Sequence, residues 1–288
     1  MPVPAFPTAA EAQHEEGFLN SADHTRLYWQ RYRPPSPRAT VAVLHGGGDH
    51  SGRYPALTTA LVRAGFEVAL VDFRGHGQSD GRRWHVDAFE DYLADLDAFL
   101  ARLRAGGLAG KLFVVGHSQG ALVATRWALD HRTGVDGYVL SSPYLRLALR
   151  PPWLKVLGAR LLGRLVPWLP VATGLEVAQL TSDPELQAWT ARDPLYGRTT
   201  TPRWFRESGR AQAAVLAGAA RLAAPLLVLA AGADRIADPE ASRALVARAG
   251  AADKRLVVYD GFRHEIFNEA ARDRPIADAV AWLVARSG

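Results

Sequence analysis

Gly116-His117-Ser118-Gln119-Gly120 places a hydroxyl between two glycines, after the apolar run Leu112-Phe113-Val114-Val115 and before Ala121-Leu122-Val123-Ala124. A G-x-S-x-G between a strand and a helix forms a sharp turn that projects the serine oxygen. The glycines permit close backbone approach, and the helix N-terminus beyond them offers amide donors to negative charge. This suits nucleophilic attack by Ser118 on a carbonyl carbon. The plainer alternative is a glycine-rich turn whose serine caps the helix.

A serine hydroxyl is a poor nucleophile without a base, and the base needs a third group to fix its tautomer. The apolar run Pro225 to Ala231 ends in Gly232-Ala233-Asp234, which puts Asp234 at the carboxyl end of a strand, the ligand-binding edge of an open parallel sheet. Asp238 is the nearest rival, but its place before Pro239 is that of a helix cap. Beyond Tyr259-Asp260, the run Gly261-Phe262-Arg263-His264 carries a histidine into the loop after the last strand, which gives the chain order Ser, Asp, His. Glu265 reads as structural, because adjacent side chains do not readily form the oriented pair that a base requires.

Stabilising the tetrahedral oxyanion calls for backbone donors. His45-Gly46-Gly47-Gly48 follows the strand run Val41 to Leu44, and its glycines can turn N–H groups toward a developing alkoxide. Gly47 is the expected first donor and the amide of Gln119 the second. No G-K-[ST] follows the glycines, which argues against a phosphate loop.

The elements that must position these residues alternate. Strands are expected over Thr25 to Arg33, Thr40 to His45, Glu67 to Asp72, Lys111 to Gly116, Gly137 to Ser141, Pro225 to Ala231 and Arg255 to Asp260. Between them, Tyr54 to Ala64, Ala88 to Leu103, Ala121 to Asp130, Pro239 to Ala249 and Pro275 to Arg286 repeat apolar residues at helical spacing. Such alternation predicts an α/β fold, a mainly parallel sheet covered by helices on both faces. Residues 143–222 break the rhythm and read as a helical cap inserted into a core formed by 1–142 and 223–288. In the cap, Leu154, Leu157, Leu161, Leu165 and Trp168 form an apolar stripe beside Lys155, Arg160 and Arg164, and Trp153, Trp189 and Trp204 add aromatic surface. The stripe suits either a lipid surface or packing onto the core, and both readings stay open.

Composition narrows the function classes. A chain of 288 residues that is 48% hydrophobic and 22% charged fits one domain with an insertion. There is no cysteine, so thiolate metal sites and cysteine nucleophiles are excluded. The loop histidines His45, His50, His76, His85 and His117 lack metal-ligand spacing, so no metal and no cofactor are expected. The net charge of +5 is spread along the chain with no basic run, which argues against nucleic acid. Met1 to Leu19 does not read as a signal peptide and no long uncharged apolar stretch occurs, so a cytoplasmic location is expected, with peripheral membrane contact left open.

The chain resembles the monoacylglycerol lipase and lysophospholipase branch of the α/β hydrolases. His45-Gly46-Gly47-Gly48-Asp49-His50-Ser51-Gly52-Arg53-Tyr54 is similar to that branch's H-G-x-G-E-H-S-G-R-Y segment, with Asp49 where Glu is usual. Asp72-Phe73-Arg74-Gly75-His76-Gly77-Gln78-Ser79 resembles its D-x-R-G-H-G-x-S turn, and Tyr259 to Glu265 its histidine loop. Gln119 and Ala121 depart from its commoner G-H-S-M-G-G elbow. The resemblance implies an eight-stranded sheet, a Ser118, Asp234 and His264 triad, an oxyanion hole at Gly47 and Gln119, and a small acyl ester as substrate. Alternatives on the same scaffold are acyl transfer, aminopeptidase-like hydrolysis and a non-catalytic ligand receptor. Asp49 and Arg53 could pair and brace the oxyanion loop, or form a solvated ion pair.

Overall fold

The computed structural model describes residues 4–130, 133–148 and 165–288. Among the described residues ten strands form: β1 Gln13–Asn20, β2 Arg26–Arg33, β3 Ala39–Leu44, β4 Phe66–Val71, β5 Leu112–His117, β6 Gly137–Ser141, β7 Val171–Ala172, β8 Thr199–Thr200, β9 Leu226–Ala231 and β10 Lys254–Tyr259. Eight belong to one sheet, ordered β1-β2-β4-β3-β5-β6-β9-β10, and β7 and β8 make a separate antiparallel ladder. From β4 to β10 every neighbouring pair in the large sheet is parallel, whereas β2 runs antiparallel to both β1 and β4. This is the expected α/β-hydrolase sheet.

The parallel strands β3, β4, β5, β6 and β9 are buried on both faces, which is why they read as short continuous apolar runs, while the edge strand β10 is only partly covered. In β3, Val41 and Val43 face one hydrophobic core while Ala42 and Leu44 face the other. Helices α2 Glu90–Ala105 and α3 Gln119–Leu129 cover the second of these faces; α1 Pro55–Arg63 covers the first. Between β6 and β9 the described residues form α4 Val177–Leu180, α5 Pro184–Arg192 and α6 Pro202–Gly218; α7 Pro239–Arg248 and α8 Asp273–Val284 follow. Leu154, Leu157 and Leu161 of the expected stripe, its flanking Lys155, Arg160 and Arg164, and Trp153 lie outside the described residues.

In the large sheet β1 has no counterpart among the expected strands, and β7 and β8 stand where helical structure alone was expected; β1 is the longer departure. Its residues QHEEGFLN are exposed on one face and only partly covered on the other, where Leu19 alone is buried and Glu15 and Gly17 are not apolar side chains, so the apolar alternation that marks a half-buried strand is absent. Pairing with β2 supplies what its side chains do not, from Gln13 opposite Arg33 to Asn20 opposite Arg26.

Candidate active site

Three sheet strands deliver the chemistry to one edge: Ser118 directly follows β5, Asp234 lies beyond β9 and His264 beyond β10. Parallel strands aligned side by side bring their carboxyl ends together, so residues distant in sequence converge there. His264 Nε2 lies 2.8 Å from Ser118 Oγ, and His264 Nδ1 lies 2.7 Å from Asp234 Oδ2. The other Asp234 oxygen accepts the amides of Ile236 at 2.8 Å and Ala237 at 2.9 Å, which holds the carboxylate facing the imidazole. Asp238 is placed elsewhere: it caps α7 by accepting the Glu240 amide and pairs with Arg146.

Ser118 has φ +51°, a conformation unfavourable to a residue with a Cβ. Tight packing around the turn enforces it. A Cβ on Gly120 would sit 2.4 Å from the Leu44 carbonyl oxygen, and one on Gly116 2.7 Å from the Ala121 amide nitrogen.

Burial disfavours the charged form of His264, but the adjacent Asp234 carboxylate, with Glu265 and Asp49 farther off, outweighs it and raises the imidazole pKa above its ordinary value. His117 packs against His264 with ring centroids 5.0 Å apart; burial, reinforced by the charge of His264, pushes its pKa down to about 3. His117 therefore stays neutral beside a ring able to accept a proton.

Gln119 opens α3, so its amide has no intrahelical acceptor. Neither that amide nor the amide of Gly47 has an acceptor among the described residues. What aims the Gly47 amide is His45, which the sequence places at the head of the glycine loop without marking a role for its side chain. His45 Nδ1–H donates to the Gly46 carbonyl at 2.7 Å, and its Nε2 accepts the Phe73 amide at 2.9 Å. The carbonyl of Gly46 and the N–H of Gly47 belong to one planar peptide, so holding the first orients the second. Burial lowers the His45 pKa, which favours the neutral tautomer these two bonds need.

Behind this loop Asp49 and Arg53 form an ion pair with 2.8 Å separation, and their side chains are only 4% and 1% exposed. The solvated alternative is thus set aside. Burial alone would raise the Asp49 pKa, but the charge of Arg53 helps bring it down to about 2. Arg53 also donates to Glu265 at 2.7 Å and Thr190 at 2.8 Å, and its guanidinium lies over the Trp189 and Tyr196 rings. One buried cation therefore ties the oxyanion loop to the histidine loop and to α5. Glu265 turns away from the imidazole toward Arg53 and Asn268, a structural placement.

The family model described as serine aminopeptidase, S33 matches residues 35–271. The chain belongs to this family of α/β hydrolases. Among the relatives of this S33 hydrolase, the phospholipase YtpA of Bacillus subtilis is 30% identical over 244 residues, 84% of this chain and 93% of its own. The monoacylglycerol lipase of Mycolicibacterium smegmatis is 30% identical over 266 residues, 90% of this chain and 93% of its own. A crystal structure of a Paleococcus ferrophilus monoacylglycerol lipase matches with a TM-score of 0.82 and 32% identity, covering 90% of this chain and 99% of that one.

Proposed function

We propose that this S33 hydrolase cleaves carboxylic esters of acyl lipids, of monoacylglycerol or lysophospholipid type, with Ser118 as nucleophile, His264 as general base and Asp234 orienting it. The observation that carries this reading is the continuous Ser118–His264–Asp234 hydrogen-bond chain at an elbow of positive φ. His264 Nε2 takes the Ser118 proton as Oγ attacks the ester carbonyl, and the Gly47 and Gln119 amides hold the oxyanion. His264 then gives that proton to the departing alcohol. In the second half, water loses a proton to His264 and attacks the acyl-enzyme, and His264 returns that proton to Ser118 Oγ as the fatty acid leaves. Every proton moves between Ser118, His264, alcohol and water, so the cycle needs no cofactor.

Residues 143–222 act in this reading as a cap over the site. Leu165, Trp168, Leu169, Val171 and Phe205 are exposed there, beside exposed Arg206 and Arg210 of α6, which share Glu207 as a partner, a combination suited to peripheral contact with a lipid surface. Among the described residues, no helix is long and apolar enough to cross a membrane.

Hydrolysis of a panel of monoacylglycerols, lysophospholipids and short p-nitrophenyl esters by wild type and Ser118→Ala tests the proposal. Turnover of lipid esters by wild type, lost in the variant, is the expected result. A folded wild type inactive on every ester, or a fully active variant, would sink it.

A further inference from the structure

We propose that the Gln119 side chain is a specificity-determining latch, joining the nucleophile elbow to Trp204 of α6 and fixing the wall along which the acyl chain lies. The inference rests on the reading of Ser118 as nucleophile. Gln119 Oε1 accepts the Trp204 indole N–H at 3.0 Å, and both residues are buried. A buried indole N–H without an acceptor carries a desolvation cost, so the Trp204 ring stays where Oε1 is.

That ring is the middle of three. Trp204 stacks on Tyr144, with centroids 6.0 Å apart and planes 12° apart, and meets Trp84 edge to face at 5.1 Å. Each outer ring has its own tether to the reacting centre. The Tyr144 amide donates to the Ser118 carbonyl at 3.1 Å. Trp84 lies against the glycine loop so closely that a Cβ on Gly47 would be 2.6 Å from Trp84 Cζ2 and 2.9 Å from Gln119 Oε1. Gly47 is therefore the residue that lets Trp84 and the Gln119 carboxamide occupy this space together.

Trp84 packs on Gly47 and Trp204 bonds the Gln119 side chain, so the wall adjoins the two residues read as oxyanion donors. In this proposal an acyl carbonyl held by those amides sends its chain past this wall, and the indole N–H of Trp204 is held by a side chain rather than by backbone. Methionine, found here in the commoner G-H-S-M-G-G elbow, offers only a weak sulfur acceptor. The carboxamide thus sets the room beside the oxyanion hole, while the backbone of the same residue serves as donor.

The test measures kcat/KM for p-nitrophenyl butyrate and laurate in wild type, Gln119→Met, Trp204→Phe and the double variant, with fluorophosphonate labelling of Ser118 in parallel. Gln119→Met keeps the backbone N–H, and Trp204→Phe keeps an aromatic ring while removing the indole donor. Each single variant is expected to raise the laurate-to-butyrate ratio about tenfold. The double variant is expected to raise it no further, because both changes remove the same bond. Should Gln119→Met not fold, Trp204→Phe carries the measurement. An unchanged ratio in a folded single variant, or effects that multiply in the double, would overturn the latch while labelling of Ser118 leaves the hydrolase reading standing. A wild type neither labelled nor active on either ester would overturn both.

Discussion

Ser118, His264 and Asp234 touch side chain to side chain, through contacts of 2.8 and 2.7 Å, whereas the amides of Gly47 and Gln119 are aimed by groups one step removed. On the oxyanion side, His45 holds the Gly46 carbonyl, Trp84 packs on Gly47 and Gly48, and Asp49 sits behind the loop against Arg53. The two sides should therefore fail differently. A chain of three side chains loses its chemistry when one link goes, since proton transfer needs all of them in line. A backbone donor survives any single side-chain change and loses only its aim.

The largest effect should come from the side-chain half. His264→Ala and Ser118→Ala should each lower kcat by roughly 10⁴-fold or more, and the double variant should be no worse, because the residues act as a unit. Single-variant losses that multiply in the double, read from initial rates, would break the picture of one linked chain.

Asp234→Asn should cost roughly 10⁴-fold in kcat. It should also move the acid limb of the pH profile. The base must be neutral in the free enzyme, so a raised His264 pKa makes kcat/KM fall at a higher pH than an ordinary histidine, near ~6.5, would give. Burial lowers that pKa and Asp234 is the leading opposing cause, so the limb should shift to lower pH in Asp234→Asn. An unmoved limb would detach Asp234 from the base.

On the oxyanion side, His45→Phe removes the hold on the Gly46 carbonyl and leaves the Phe73 amide unpaired. The expected loss is about 10²-fold in kcat with KM little changed. A loss as deep as that of the triad variants would erase the distinction between the two sides. The smallest effect belongs to Asp238→Ala, which should cost about 1 kcal/mol of stability through the lost α7 cap, measured by urea denaturation, and leave kcat unchanged. A large drop in kcat would reopen the choice of acid.

The local rules of the chain were enough to mark out most of this site. Gly116 and Gly120 bracket Ser118 because the turn has no room for side chains, and such steric demands are written at fixed short spacing. Pro239 marks Asp238 as a cap, and the order Ser, Asp, His follows from strand succession. Seven sheet strands were readable because burial on one or both faces imposes an apolar pattern. β1 was not, since an exposed edge strand answers to its backbone partner rather than to a core.

Partner choice across long separations was decided only in three dimensions. Arg53 meets Glu265 across 212 positions and Gln119 meets Trp204 across 85. The described tryptophans between β6 and β9, alike in sequence, part ways: Trp168 is half exposed, Trp189 lies under Arg53, and Trp204 is buried against the elbow. Residue type and spacing determine what a segment can do locally, through sterics and the burial of apolar faces. Which buried donor finds which acceptor depends on how the finished sheet and the segment above it close on each other, and that closure has no local signature.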